Sequence, residues 1–253
     1  MMPDQANLNS GRYVLKPGTV HLWLADCSAI HDPSLLAGYR ELLSAAELER
    51  QQRYRFQRDR HRDLIARALV RTSLSRYAPL KPWQWRFEQG EHGKPRLCEA
   101  PLALDFNLSH SHELVVCAVA LHPVGVDIEY SGRHNDVLAI AERYFSAAES
   151  RELFALPQHQ QRDRFFDYWT LKEAYMKARG EGISLGLGNF SFGLPSAVEI
   201  SIGFAEKLED DPGDWQFKLL HPQLDYRMAL ALREAQAPLS VQTFKVIPPS
   251  GAS

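Results

Sequence analysis

Three cysteines in 253 residues, with no Cys-x-x-Cys pair, leave no material for a disulfide framework or a thiolate zinc site. No apolar stretch reaches the ~18 residues of a membrane-crossing helix. The opening MMPDQANLNSGRY lacks a basic segment followed by an apolar one, so no secretory leader is expected. Charge of one sign is also missing. With 29 basic and 31 acidic side chains the net charge is −2, which gives no general attraction to nucleic acid or membrane. No Gly-x-Ser-x-Gly elbow accompanies the Ser-His-Ser of residues 109–111, so a hydrolase triad has no support. These absences leave a soluble, cytoplasmic chain, and its 45% hydrophobic content suffices for one large domain or two small ones.

What is present is first of all repetition. SAAE occurs at 44–47 and again at 146–149, and QRDR at 57–60 and again at 161–164, in the same order and offset by 102 and 104 residues. Two matches in register point to an internal duplication. Each Ser-x-x-Glu fits a capping box opening a helix, and each QRDR leads into a long helical segment. A strand-like run precedes each helical pair, TVHLWLAD at 19–26 and PVGVDIEY at 123–130, and further strand-like runs follow. The expected fold is α+β: a pseudo-dimer of two similar subdomains, roughly 1–121 and 122–247, with a disordered tail at 248–253.

The second strand carries an oddity. Side chains alternate along a strand, so Asp127 and Glu129 share one face while Val126, Ile128 and Tyr130 take the other. One reading is a solvated edge. The other starts from the apolar character of the run, which suggests an interior strand whose carboxylates must be paired, protonated or bound to a cation. In YWTLKEAYMKA, Tyr168, Leu171, Ala174, Tyr175 and Ala178 form a core stripe, while Trp169, Glu173 and Lys177 form a row on another face. A surface Glu–Lys pair explains that row. So does a third carboxylate facing Asp127 and Glu129, an oxygen-only donor set suited to Mg²⁺ with Lys177 beside a phosphate. Elsewhere, residues 50–76 hold nine arginines against Asp59 and Asp63, either a solvated helix face or a surface for an anion. Ser109 and His110 in LDFNLSHSHE, with Lys94 in HGKPRL, suit phosphate recognition; a turn and a structural histidine are the plainer alternatives.

Together, VGVDIEY and WTLKEAYMKARGEG resemble the two signatures of Sfp-type 4′-phosphopantetheinyl transferases, with Gly125, Asp127, Glu129, Trp169, Lys172, Glu173 and Lys177 at the matching positions. GKP at 93–95, FNLSHS at 106–111 and the basic FQRDRHRDLIARALVR at 56–71 follow the same family's order, so the resemblance spans about 40–245. It implies a pseudo-dimeric α+β fold with the active site in the cleft between halves. It also implies coenzyme A as co-substrate, whose phosphopantetheine arm passes to a serine of an apo acyl or peptidyl carrier protein with release of 3′,5′-ADP.

Carried over residue by residue, the resemblance gives Asp127, Glu129 and Glu173 as ligands of Mg²⁺, with Mn²⁺ as a substitute. Glu173 is the candidate base, a water on the cation being the alternative, and Lys177 the contact to the phosphates. Ser109, His110, Lys94, Arg58 and Arg62 would recognise the 3′-phosphate of CoA. The first half has no second acidic triplet, so one active site per chain is expected, and a pseudo-dimer is expected to act as a monomer. Two competing readings share the same residues. They are a Mg²⁺-dependent pyrophosphatase acting on CoA or a nucleotide, and a CoA- or carrier-binding module without catalysis.

Overall fold

The computed structural model describes residues 12–90, 92–132, 136–196 and 199–250. The opening residues 1–11 and the last three residues of the expected tail lie outside that set. The first half runs β1 (Thr19–Asp26), α1 (Pro33–Glu41), α2 (Ala45–Gln52), α3 (Gln57–Leu74), the hairpin β2 (Arg86–Gln89) and β3 (Pro95–Cys98), then β4 (Asp105–Ser111) and β5 (Leu114–Ala120). The second half repeats this order: β6 (Val124–Tyr130), α4 (Val137–Tyr144), α5 (Ala147–Ala155), α6 (Gln158–Arg179), the hairpin β7 (Phe190–Gly193) and β8 (Ser201–Phe204), then β9 (Trp215–Leu220) and β10 (Tyr226–Arg233).

The duplication extends to helix chemistry. Asp32 and Asp136 cap α1 and α4, each accepting the N–H three residues on. Ser44–Glu47 and Ser146–Glu149 form complete capping boxes on α2 and α5, so both SAAE repeats open helices. Each box glutamate is also gripped by a buried cation from the following long helix: Arg71 of α3 holds Glu47, and Lys172 of α6 holds Glu149. The helix pair in each half is thereby clamped by a side-chain bond as well as by apolar packing.

Sheet order repeats too, β1-β5-β4 in the first half and β6-β10-β9 in the second. Val20, Leu22 and Leu24 of β1, Val116 and Ala118 of β5, Val124, Val126 and Ile128 of β6, and Met228 and Leu230 of β10 form one fully buried cluster. The two sheets therefore pack face to face. Their outer faces are covered by α3 and α6 respectively, giving helix–sheet–sheet–helix layers. Strands buried on both faces carry near-continuous apolar runs, which is why β5 reads LVVCAVA.

The end of the chain returns to the first half. A final strand, β11 (Ser240–Lys245), leaves the second half and pairs in parallel with β1, at the edge of the first half's sheet. The last strand along the chain to join the second half's own sheet is thus β10, at its centre. The expected tail begins with packed residues: Pro248 is buried, and its carbonyl accepts a hydrogen bond from Tyr39 Oη of α1 at 2.5 Å.

Candidate active site

The seam between the halves is built by β4 and β6, which lie side by side without forming a ladder. Instead, the N–H groups of Val124, Val126, Ile128 and Tyr130 donate to the side chains of Asp105, Asn107, Ser109 and Ser111, at 2.7, 2.9, 3.3 and 3.0 Å. Alternate residues of β4 thus satisfy the edge of β6, since side chains two apart point the same way. The polar period in LDFNLSHS has this cause. It was visible in the sequence as alternation, but its partner strand was not.

Over the same strand lies α6, and Gly125 sets how closely. A Cβ there would sit 1.9 Å from the Ala174 carbonyl oxygen and 2.5 Å from the Ala178 nitrogen. Only glycine permits this crossing, and the crossing brings Glu173 and Lys177 over the face of β6 that carries Asp127 and Glu129. Lys177 Nζ donates to Asp127 Oδ1 at 2.6 Å and to Ser109 Oγ at 3.0 Å. Ser109 Oγ in turn donates to Asp127 Oδ1 at 3.0 Å, and Ser111 Oγ to Glu129 Oε2 at 2.8 Å. Burial first, and then the neighbouring Asp127 and Glu129, raise the pKa of Glu173 to about 7 against the opposing pull of Lys177.

A divalent cation has a test in this arrangement. As the side chains stand, among the described residues no group of three or more His, Cys, Asp or Glu is arranged to hold a metal ion. The donor set nonetheless fits a hard cation. Asp127 Oδ2 is buried without a hydrogen-bond partner, and burial, reinforced by the neighbouring Asp127 and Glu129 carboxylates, keeps Glu173 from ionising readily. A positive ion with oxygen preference answers both features.

The remaining expected residues separate. His110 is exposed on the face of β4 opposite Ser109 and Ser111, yet its imidazole is held below the usual histidine value, first by desolvation and then by the cationic Arg62 and Lys177. Arg62 is anchored by Asp59 at 2.8 Å and the His112 carbonyl at 3.2 Å. Arg58 goes elsewhere: it is exposed and lies over the Phe56 ring. Lys94, expected at a phosphate, is a strut here. Its ammonium donates to Asp105 Oδ2 at 2.7 Å, the Val124 carbonyl at 3.1 Å and the Ala178 carbonyl at 3.5 Å. One ammonium from the first half thus grips both β6 and the end of α6. Trp169 stacks on Phe165, against the second-half core.

The sequence reading assigned no role to a groove of about 350 Å³ between α2, α3 and the β2–β3 hairpin. Arg50, Arg67, Arg71 and Arg86 line it together with Trp85 and Pro95. Arg67 and Arg71 are committed to Glu47, whereas Arg50 and Arg86 are exposed. The arginine run signalled a cationic surface; which of its members share a groove depends on tertiary packing.

Comparison with known proteins gives a consistent set. Residues 33–122 match the family model described as 4′-phosphopantetheinyl transferase, N-terminal, and residues 123–231 that of the 4′-phosphopantetheinyl transferase superfamily. The chain is 34% identical over 200 residues to 4′-phosphopantetheinyl transferase Sfp of Bacillus subtilis (strain 168), covering 79% of this chain and 86% of the relative. It is 39% identical over 168 residues to 4′-phosphopantetheinyl transferase HetI of Nostoc sp., covering 65% and 70%. To 4′-phosphopantetheinyl transferase psf-1 of Bacillus pumilus it is 37% identical over 186 residues, covering 74% and 77%.

Proposed function

The chain belongs to the 4′-phosphopantetheinyl transferase superfamily, and to its Sfp type, and from that premise we propose that it transfers the phosphopantetheine arm of coenzyme A to a serine of an apo carrier protein, releasing 3′,5′-ADP. The observation that carries this reading is the gathering of Asp127, Glu129, Glu173 and Lys177 at the seam between the halves. A pyrophosphate needs charge neutralisation and a nearby base, and both lie on that one face.

Asp127, Glu129 and Glu173 would hold the divalent cation, Mg²⁺ or Mn²⁺. When bound, it supplies positive charge against the pyrophosphate. The chain's own residues do the rest. Lys177, already positioned by Asp127 and Ser109, lies where an ammonium can contact a phosphate oxygen. The carrier serine oxygen forms a bond to the β-phosphorus of CoA, and the bond from that phosphorus to the bridging oxygen breaks, so the electron pair leaves with 3′,5′-ADP. The serine proton goes to a carboxylate oxygen of Glu173. For the nucleotide we assign the arginine-lined groove with Arg50 and Arg86, together with Arg62 and with His110 on the same face of β4 as the groove residues Phe106 and Leu108. This replaces Arg58 and Lys94, which are turned to other partners.

The test is the intact mass of apo carrier proteins of the fatty-acid, polyketide and peptide classes after incubation with the chain, CoA and Mg²⁺. A gain of one phosphopantetheine arm, abolished by EDTA, is expected. Release of 3′,5′-ADP from CoA with no mass gain on any carrier would replace the transferase reading by the pyrophosphatase one.

A further inference from the structure

The four side chains that β4 lends to β6 are chemically unequal. Asp105 Oδ2 and Asn107 Oδ1 accept an N–H with an oxygen that has no proton to give. A hydroxyl that accepts an N–H still directs its own proton outward. Ser109 aims it at Asp127 Oδ1, and Ser111 aims it at Glu129 Oε2 at 2.8 Å while accepting the Tyr130 N–H at 3.0 Å. The Ser111 side chain is buried, and its acceptor contact is to a backbone group that cannot rotate away. Its position is therefore set by the seam between the halves.

From this we infer that Ser111 is a positioning residue for Glu129: it couples the junction of the two halves to the placement of a cation-binding carboxylate. Glutamate has three side-chain torsions, and fixing a side chain of that kind costs rotamer freedom. A hydroxyl bond already anchored to the backbone confines those torsions before any ligand arrives. Hydrogen-bond partners behind a ligating group commonly change metal affinity by about 10–100-fold. This inference rests on the proposed function only in taking Glu129 as a cation ligand.

The experiment is direct titration of the full chain with Mn²⁺ in the presence of CoA, following the spin-resonance signal of free Mn²⁺. Ser111→Ala is expected to weaken Mn²⁺ binding about tenfold or more, and Ser111→Thr, which keeps the hydroxyl, to restore most of it. Asn107→Ala is the control: it removes a seam contact with no carboxylate attached, so it should lower the urea midpoint and leave Mn²⁺ affinity unchanged. If Ser111→Ala does not fold, Ser111→Cys, near in size with a feeble donor, takes its place with the same expectation. Equal Mn²⁺ affinity in Ser111→Ala and the unaltered protein overturns the inference. An equal loss in Asn107→Ala does so as well, because the effect would then belong to the seam alone. No Mn²⁺ uptake by the unaltered protein overturns the cation reading itself, and the inference falls with it.

Discussion

Lys172 is a fully buried lysine of α6, and replacing it by methionine gives a sharp test of how this fold is held. Its ammonium donates to Glu149 Oε2, the Leu187 carbonyl and the Phe190 carbonyl, each at 2.8 Å, and lies 4.3 Å from the Phe190 ring centroid. Burial pulls its pKa below the ordinary lysine value while Glu149 pushes back. Methionine keeps the apolar stem and removes the charge. Glu149, also fully buried, would keep the Ser146 and Phe192 N–H donors and the Ser146 hydroxyl, but would lose its counter-ion. Breaking a buried pair by removing one member costs about 3–5 kcal/mol, and each carbonyl left without a donor adds about 1–3 kcal/mol before relaxation.

We therefore expect Lys172→Met to lose about 5 kcal/mol or more, as much as the whole stability of a marginal domain among the roughly 5–15 kcal/mol that holds a typical one. Equilibrium urea unfolding followed by tryptophan fluorescence should show a lower midpoint at unchanged slope. Adding Glu149→Leu should recover part of the loss, since the uncompensated charge goes with it. Turnover of the folded protein should change far less than stability, because Lys172 faces the clamp on α5 and not the acidic cluster. A loss under ~1 kcal/mol would refute the clamp reasoning. A hundredfold fall in turnover at full folding would move Lys172 into the active site.

Asp127→Ala and Glu173→Ala should each lower turnover at least ~10²-fold with the fold intact, since both act on charge that develops in the transition state; steady-state rates near those of the unaltered protein would remove the carboxylate cluster from the mechanism. Lys94→Ala should lower stability by about 2 kcal/mol or more and disturb turnover along with it, because it leaves Asp105 without its cation at the seam. A raised Michaelis constant for CoA with unchanged stability would return Lys94 to phosphate recognition. Burial lowers His21 from 6.5 to about 4, with Tyr77 Oη 2.8 Å from Nδ1. The unfolded chain therefore binds a proton that the folded chain refuses. The stability tied to neutral His21 is full above pH 6.5 and is lost as pH falls from there to about 4, to a total of about 3 kcal/mol. His21→Phe should flatten that part of the urea-midpoint profile against pH, and an unchanged profile would contradict the assignment.

Much of this was legible in residue order. The SAAE and QRDR repeats marked the duplication because capping boxes and helix starts depend on neighbours a few residues apart. The alternation in VGVDIEY placed Asp127 and Glu129 on one strand face, and the spacing in WTLKEAYMKA placed Glu173 and Lys177 on one helix face. Those are local geometry, fixed by the period of strand and helix.

Which faces meet was decided only by the tertiary structure. Gly125 stood in the sequence only as a member of the VGVDIEY signature, but its missing Cβ is what lets α6 cross β6 closely enough to bring the two acidic faces together. Lys94 looked like a cation on a loop, but three seam oxygens claim it. The last strand looked like part of the second half, and it completes the first half's sheet. The physical reason is common to all three. Periodicity states which side chains leave one element together; it holds no information on which donor, acceptor or backbone from a distant segment will stand opposite, because that is set by packing of the whole chain.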